Sequence, residues 1–281
     1  MSTLVPPLYA GLVDDASVLP PGVGTFVEAV ETHAQHRNAW YRDLLGTFLM
    51  PSSLIGQYPP PAGFPIGVVN DAAIGALPAT IAKLRADGVV VRHVEASVAR
   101  RGEDPQPGIA TLRDLSDSWP DLDVYAEVPL SWGLLAALDT LAEAHGAGLR
   151  IAPKFRVGGL AGELFPTPVE LAAVICACRD RHLPFRLAAG IRHALRHTDP
   201  ETGFTHHGFL NVLIAAFTAV EGGEVAEVAE TLAATHPVPL VEPARLRRNA
   251  PRPLWVGFGA ISVMEPLTEL IRLGLVDGGY A

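Results

Sequence analysis

The sequence contains only two cysteines among its 281 residues, and only two of its 21 basic residues are lysines. Cys176 and Cys178 lie two positions apart in a helical pattern, so they face different sides and no shared disulfide or metal site is expected. No apolar run reaches the roughly 20 residues needed to cross a bilayer. The net charge of −9 lacks the basic excess of a nucleic-acid or anionic-membrane binder. These absences favour a partner that is a small molecule, with no nucleic acid and no membrane.

The first ten residues lack both the basic and the apolar region of a secretory signal, which predicts a cytoplasmic protein. With 49% apolar and 18% charged residues, the chain can bury a large core. No linker or repeat divides it. We therefore expect one domain over 1–281, with 1–45 as an N-terminal extension or lid, and leave a homo-oligomer open.

Short apolar runs alternate with helical patterns, which is typical of a parallel sheet. Strands are predicted at 47–51, 66–70, 89–95, 124–128, 149–156, 185–189 and 254–259, with 238–241 as an eighth. Helices are predicted at 77–86, 132–145, 168–181, 208–220, 225–235 and 266–273. No glycine fingerprint of a dinucleotide-binding sheet follows an early strand. The fold class predicted is α/β, a single (β/α)-barrel-like domain with about seven or eight mainly parallel strands.

The two lysines differ in their surroundings: Lys83 lies in a surface helix, whereas Lys154 lies near the end of an apolar strand. Alternation places Lys154 and Arg156 on one side of that strand. Since a neighbouring guanidinium and partial burial both disfavour an ammonium, we expect the pKa of Lys154 to be lowered from about 10.4. Lys154 is therefore a candidate catalytic nucleophile or ligand-binding group. The alternative is structural: Lys154 extends from the strand end to solvent or forms an ion pair with Glu127 on the preceding strand.

Other candidate residues lie at the same end of the predicted sheet. Gly158 and Gly159 follow Lys154 directly and permit close approach of an anion, although they also fit an ordinary turn. A cationic pocket for phosphate or carboxylate is predicted from residues of this strand and the segments after it: Arg156, Gly158, Gly159, Arg186, Arg192, His207 and Asn211. For His207 and Asn211, which lie beyond the predicted strand at 185–189, a role in a surface turn or helix cap is the alternative.

Glu127 and His193 are the candidate proton-transfer groups. Glu127 ends a strand next to that of Lys154, and neutralising Lys154 or Arg156 is its alternative role. Asp14 and Asp15 either reach the site from the lid or cap a turn. No His-x-His, His-Glu-x-x-His or Cys-x-x-Cys spacing appears, so no cofactor or metal ligand is predicted, while dependence on a divalent metal is left open.

Four segments together resemble a family of uncharacterised bacterial proteins with a β/α-barrel fold. They are Asp14-Asp15-Ala16 with Pro20-Pro21, Lys154-x-Arg156-x-Gly158-Gly159, Ala189-Gly190-x-x-His193 with Arg196, and His207-Gly208-Phe209-Leu210-Asn211. This resemblance spans nearly the whole chain and implies no activity. More distantly, the chain is similar to class I aldolases of the deoxyribose-phosphate type. Lys154 matches their Schiff-base lysine, but Arg186 stands where they carry a second lysine.

The sequence thus supports three hypotheses about function. The first is an enzyme, lyase- or aldolase-like, that acts on a small anionic carbonyl compound through Lys154. The second is a phosphoribosyl- or other group-transfer enzyme with the same cationic pocket, since quinolinate-type phosphoribosyltransferases also line a barrel with such residues. The third is a non-catalytic binding or scaffold barrel, in which Lys154, Glu127 and Arg156 form a structural ion network.

Overall fold

A computed structural model describes residues 4–20, 22 and 25–278 and shows a closed barrel of eight parallel strands. Seven strands follow the chain around the barrel, and the last closes it against the first. The barrel strands are β1 (Val13–Asp15), β2 (Leu45–Pro51), β3 (Pro65–Asn70), β4 (Val90–Ser97), β5 (Asp123–Glu127), β6 (Ile151–Arg156), β7 (Phe185–Ala188) and β10 (Trp255–Ala260). A short antiparallel pair, β8 (His197–Thr198) and β9 (Thr205–His206), lies between the last two. The predicted (β/α)-barrel is confirmed.

Helices surround the strands. They are α1 (Phe26–Asn38), α2 (Leu77–Ala86), α3 (Gln106–Asp117), α4 (Leu134–Gly146), α5 (Pro168–Asp180), α6 (Phe209–Val220), α7 (Val225–Ala233), α8 (Val238–Leu246) and α9 (Met264–Arg272). Capping boxes at Thr25 and Thr167 satisfy free backbone N–H groups at the starts of α1 and α5. None of the helices within the described ranges is long and apolar enough to span a membrane.

The main apolar core lies between the sheet and this outer layer. Alternate strand residues such as Val94, Val124 and Phe155 are fully buried, as period-2 alternation requires of the outward side of a barrel covered by helices. Helix α6 is buried along most of its length and packs against α5, α7 and α8. This explains its nearly uninterrupted apolar sequence.

The structure corrects the expected eighth strand and the expected position of Asp14 and Asp15. Segment 238–241 is not a strand but the start of α8, with Pro239 in the first helical turn, where proline needs no backbone hydrogen bond. The eighth strand is instead β1, which pairs with β2 and β10. Asp14 and Asp15 therefore belong to the barrel itself rather than to a lid over it. Pro21, part of the segment used for the family resemblance, lies outside the described residues.

Candidate functional site

A cluster of charged side chains fills the barrel interior. Glu95 on β4 contacts Lys154 on β6 and Arg186 on β7, and Arg186 also contacts Asp14 on β1. In each of these pairs, at least one other strand lies between the two strands that carry the partners. Side chains from strands that are not neighbours can meet only on the inner side of the sheet, so the contacts define an interior charged cluster.

Lys154 lies between two carboxylates. Its Nζ is 2.8 Å from Glu95 Oε2 and 2.8 Å from Glu127 Oε2, and its side chain is only 6% exposed. Burial alone would lower the pKa of Lys154, but the two carboxylates outweigh burial and raise it above its ordinary value. The expected lowering of this pKa is therefore wrong. Lys154 is held as an ammonium ion.

Glu95 is the most highly connected member of the cluster. Besides Lys154, it faces Arg186 Nε at 3.2 Å and His93 Nε2 at 3.4 Å. Burial would raise the pKa of Glu95, but Lys154 and then His93 lower it to about 2. Glu95 is consequently an ionised carboxylate that is shared by two cations.

Arg186 crosses the interior beneath an aromatic ring. Its guanidinium carbon lies 4.8 Å from the ring centre of Tyr125, a cation–π arrangement. Burial lowers the pKa of Arg186 to about 9, with Arg252 adding to the effect. Beside Asp14 and Glu95 the guanidinium stays charged at neutral pH. Its contact with Glu95 lacks hydrogen-bond alignment, so the two form an ion pair only.

Glu127 and Arg156 connect the interior charged cluster with solvent. Arg156 Nε and Nη2 both donate to Glu127 Oε1 at 3.2 Å, and the Arg156 side chain is 46% exposed. Burial would raise the pKa of Glu127, but Lys154 and Arg156 together lower it. Three carboxylates thus balance three cations, of which Arg156 alone reaches the surface at the carboxyl ends of the strands.

The two loop glycines have different surroundings. Gly158 is buried against the segment after β7, where a Cβ at this position would lie 2.5 Å from Gly190 Cα. Ala189 and Gly190 both have positive φ, 58° and 68°, and such a conformation is unusual for alanine. Gly159 is exposed and faces Leu164. Tight packing between the two loops explains why position 158 is glycine; an anion-binding role for this pair stays a prediction.

This packing can be tested with Gly158→Ala. The added methyl group must displace the backbone at Gly190, so we expect the free energy of unfolding to fall by about 1–3 kcal/mol without any ligand. Gly56→Ala is the control, since a Cβ there meets nothing within 4 Å and should change stability by less than about 0.5 kcal/mol. Chemical denaturation measures both values. Equal stability of the two variants would contradict the packing explanation.

Arg192 and His193 turn towards α9 rather than towards Lys154. Arg192 Nη2 is 3.2 Å from Glu265 Oε1, and His193 Nδ1 is 2.7 Å from Glu269 Oε1. Neither residue contacts the interior charged cluster among the described ion pairs and hydrogen bonds. The structure therefore does not bring these two candidates together with Lys154.

His207 and Asn211 hold the segment around β8 and β9 in place. Asn211 is fully buried; its Oδ1 accepts from the Arg196 backbone N–H at 2.8 Å, and its Nδ2 donates to two carbonyl groups at the C-terminal end of α7, those of Thr231 and Ala234. His207 Nε2 lies 2.8 Å from the Pro166 carbonyl. Burial lowers the pKa of His207 to about 4, so it is neutral at pH 7. Both side chains have structural partners, and their proposed contact with an anion stays a prediction.

His93, Glu95 and Tyr125 belong to the interior but were not predicted as site residues, while Asp14 was expected either to reach the site from a lid or to cap a turn. His93 and Glu95 alternate on β4, while Tyr125 occupies the position next to Glu95 on β5. Alternation shows that such residues share a side, but it does not show that the side is the interior. Among the described residues, no group of three or more His, Cys, Asp or Glu side chains is arranged to hold a metal ion.

The fold and this cluster define the chain as a (β/α)₈ barrel with a charge-balanced interior. No protein-family model matches the chain, and no curated protein matches its sequence. Among solved structures it is similar to a Xanthomonas albilineans dihydropteroate synthase, crystallised with indole-2-carboxylic acid and 6-chloroguanine. That similarity has 14% identity and a TM-score of 0.41 and covers 97% of this chain and 95% of that one.

A second similar structure is the lysine/ornithine decarboxylase of Vibrio vulnificus, complexed with cadaverine. It shares 15% identity at a TM-score of 0.38, over 65% of this chain. The chain spans about half, 47%, of the decarboxylase. Both similarities are too distant to assign an activity or a ligand.

Proposed function

We propose that the protein is a lyase- or aldolase-like enzyme that acts on a small anionic carbonyl compound at the mouth of the barrel. The observation that carries this proposal is the position of Lys154 Nζ, 2.8 Å from both Glu95 and Glu127. An ammonium group has three N–H donors, and these carboxylates account for two. In this proposal the third donates to the carbonyl oxygen of the compound.

In this proposal Lys154 acts as an electrostatic group and not as a free amine. Its positive charge stabilises negative charge that develops on the carbonyl oxygen. Glu127 takes the proton from the adjacent carbon, and the electron pair of that C–H bond forms the enolate. Arg156, exposed at the rim, pairs with the phosphate or carboxylate of the compound. The pKa of Glu127 rises towards a useful value when the substrate draws away part of the charge of Lys154 and Arg156.

Hydrogen exchange at carbon tests this chemistry without knowledge of the natural reaction. The protein is incubated in D₂O with dihydroxyacetone phosphate, pyruvate or 2-oxoglutarate, and ¹H NMR follows deuterium entry next to the carbonyl. We expect protein-dependent exchange that Glu127→Gln reduces by about 100-fold or more, the usual contribution of a general base. Arg156→Gln should raise the concentration needed for half-maximal exchange.

Glu143→Gln is the matched control for Glu127→Gln, because Glu143 is exposed on α4 and should not affect exchange. Borohydride added during exchange should leave the mass of the protein unchanged, since Lys154 forms no Schiff base in this proposal. If the exchange rate with protein equals the rate without protein for all three compounds, the enzyme proposal is contradicted.

A binding or scaffold barrel is the second candidate function, because the charges of the interior cluster cancel without any ligand. Under that candidate, Glu127→Gln would lower stability, yet no compound would exchange. The exchange measurement therefore separates the two.

A further inference from the structure

A cavity of about 410 Å³ lies outside the interior charged cluster, between the segment after β7 and α9. This volume is within the range of small-ligand sites. None of its lining residues belongs to the interior cluster. Its walls are formed by residues of these two segments: His193, Ala194, Leu195, His197, Glu269, Arg272 and Leu273.

The walls suit a flat apolar group. The rings of His193 and His197 stand at 90° to each other with their centroids 4.3 Å apart. Leu195 and Leu273 add aliphatic surface. His206 stacks on His197 with ring centroids 5.2 Å apart, so a planar ring would pack against the remaining surface of the two imidazoles, by stacking or edge-to-face contact.

The charges of the cavity leave one cation available. Glu269 makes no described ion pair with Arg272, and its carboxylate accepts from His193 Nδ1 at 2.7 Å and from the Ala194 backbone N–H. Arg272 lies three residues later on the same helix and is exposed. Within the described residues it makes no ion pair or side-chain hydrogen bond, so its guanidinium can take a carboxylate from a ligand.

We propose that this cavity is a binding site for a small aromatic carboxylate, with the ring against His193 and His197 and the carboxylate on Arg272. The proposal is independent of the activity assigned to Lys154. It gives His193 a role in a second site rather than in proton transfer at the barrel mouth.

Benzoate is the probe for this site, and benzamide is its uncharged counterpart. Histidine-labelled protein is titrated with each while NMR follows the imidazole signals, which single substitutions of His193 and His197 assign. We expect benzoate to shift both signals saturably and benzamide to bind at least about tenfold more weakly, a difference of about 1.4 kcal/mol.

Arg272→Gln should weaken benzoate binding by about tenfold or more, while Arg37→Gln should leave it unchanged. Arg37 is a matched control because it too is an exposed arginine in the last turn of a helix, α1. Absent or unsaturable shifts, or equal affinities for the wild type and Arg272→Gln, would overturn the proposal. Glu127→Gln should not change benzoate binding, so failure of this site and failure of the proposed activity are distinguishable.

Discussion

Lys154→Met is expected to lower the free energy of unfolding by about 3–5 kcal/mol at neutral pH, because it leaves buried carboxylates without their shared cation. Methionine keeps much of the length and volume of lysine, so the loss reports mainly on charge. Chemical denaturation measures it. The remaining lysine supplies a control: Lys83 is 54% exposed and pairs only with Asp87, so Lys83→Met should cost less than about 1 kcal/mol.

The loss in free energy of unfolding caused by Lys154→Met should become smaller as the pH falls. Without the ammonium, the folded-state pKa values of Glu95 and Glu127 rise, and the folded variant then binds protons more readily than its unfolded chain. Stability therefore increases with acidity for these groups. Comparison at about pH 7 and about pH 5 should show a smaller difference from the wild type at the lower value. A deficit that is the same at both would indicate lost packing rather than uncompensated charge.

Glu95→Gln is expected to have the second large effect. The pKa of Glu95 falls from 4.5 to about 2 on folding, which corresponds to about 3 kcal/mol of stability at 1.36 kcal/mol per unit. That contribution is fully present above the unfolded-state pKa and is lost as the pH falls from about 4.5 towards 2. Glutamine has no such titration, so the variant should approach the wild type in this acid range.

Denaturation at several pH values tests the Glu95 prediction, with Glu143→Gln as the control. The control should follow the wild type throughout, because Glu143 is exposed. A double-mutant cycle of Glu95→Gln with Lys154→Met should show a coupling of about 0.5–3 kcal/mol, as expected for residues in contact. Additive losses would contradict the shared ion pairs described above.

Most barrel strands could be predicted from sequence because their outer residues are apolar and their ends are polar. β1 escaped prediction since it has only three residues, Val13-Asp14-Asp15, and two are acids. Both acids are nevertheless buried, because Asp14 contacts Arg186 inside the barrel and Asp15 contacts His33 of α1. A strand with polar partners on both sides gives no hydrophobic signal.

Helix α3 was not predicted either, and α1 escaped prediction for a related reason. The residues that α1 buries are Ala29, His33 and His36, so its inner side is weakly apolar. Helix α8 was taken for a short strand although prolines flank its apolar residues, and proline in a first turn fits a helix.

The sequence brought Glu127, Lys154 and Arg186 to one region because they occupy adjacent parallel strands. The predicted lowering of the Lys154 pKa was wrong because the decisive partner, Glu95, lies two strands away. Only the curvature of the barrel brings that carboxylate within 2.8 Å of Lys154 Nζ. The sequence also failed to place His193 beside Glu269. Glu265 and Glu269 lie four residues apart on α9 and match the pair Arg192 and His193, but that match is visible only once the helix position is known.

The pairing of β1 with β10 also determines the order in which the molecule can assemble during synthesis. Lys154 finds Glu95 and Glu127 on β4 and β5, so these contacts need only a continuous middle part of the chain. Closure needs Val13 beside Phe258, which joins the first barrel strand to the last one. Since a chain is made from its N-terminus, β1 must wait until β10 has been synthesised before its second neighbour exists. The ring of strands is therefore open on the ribosome, and Asp14 lacks the strand that separates it from Arg186 until the last stage.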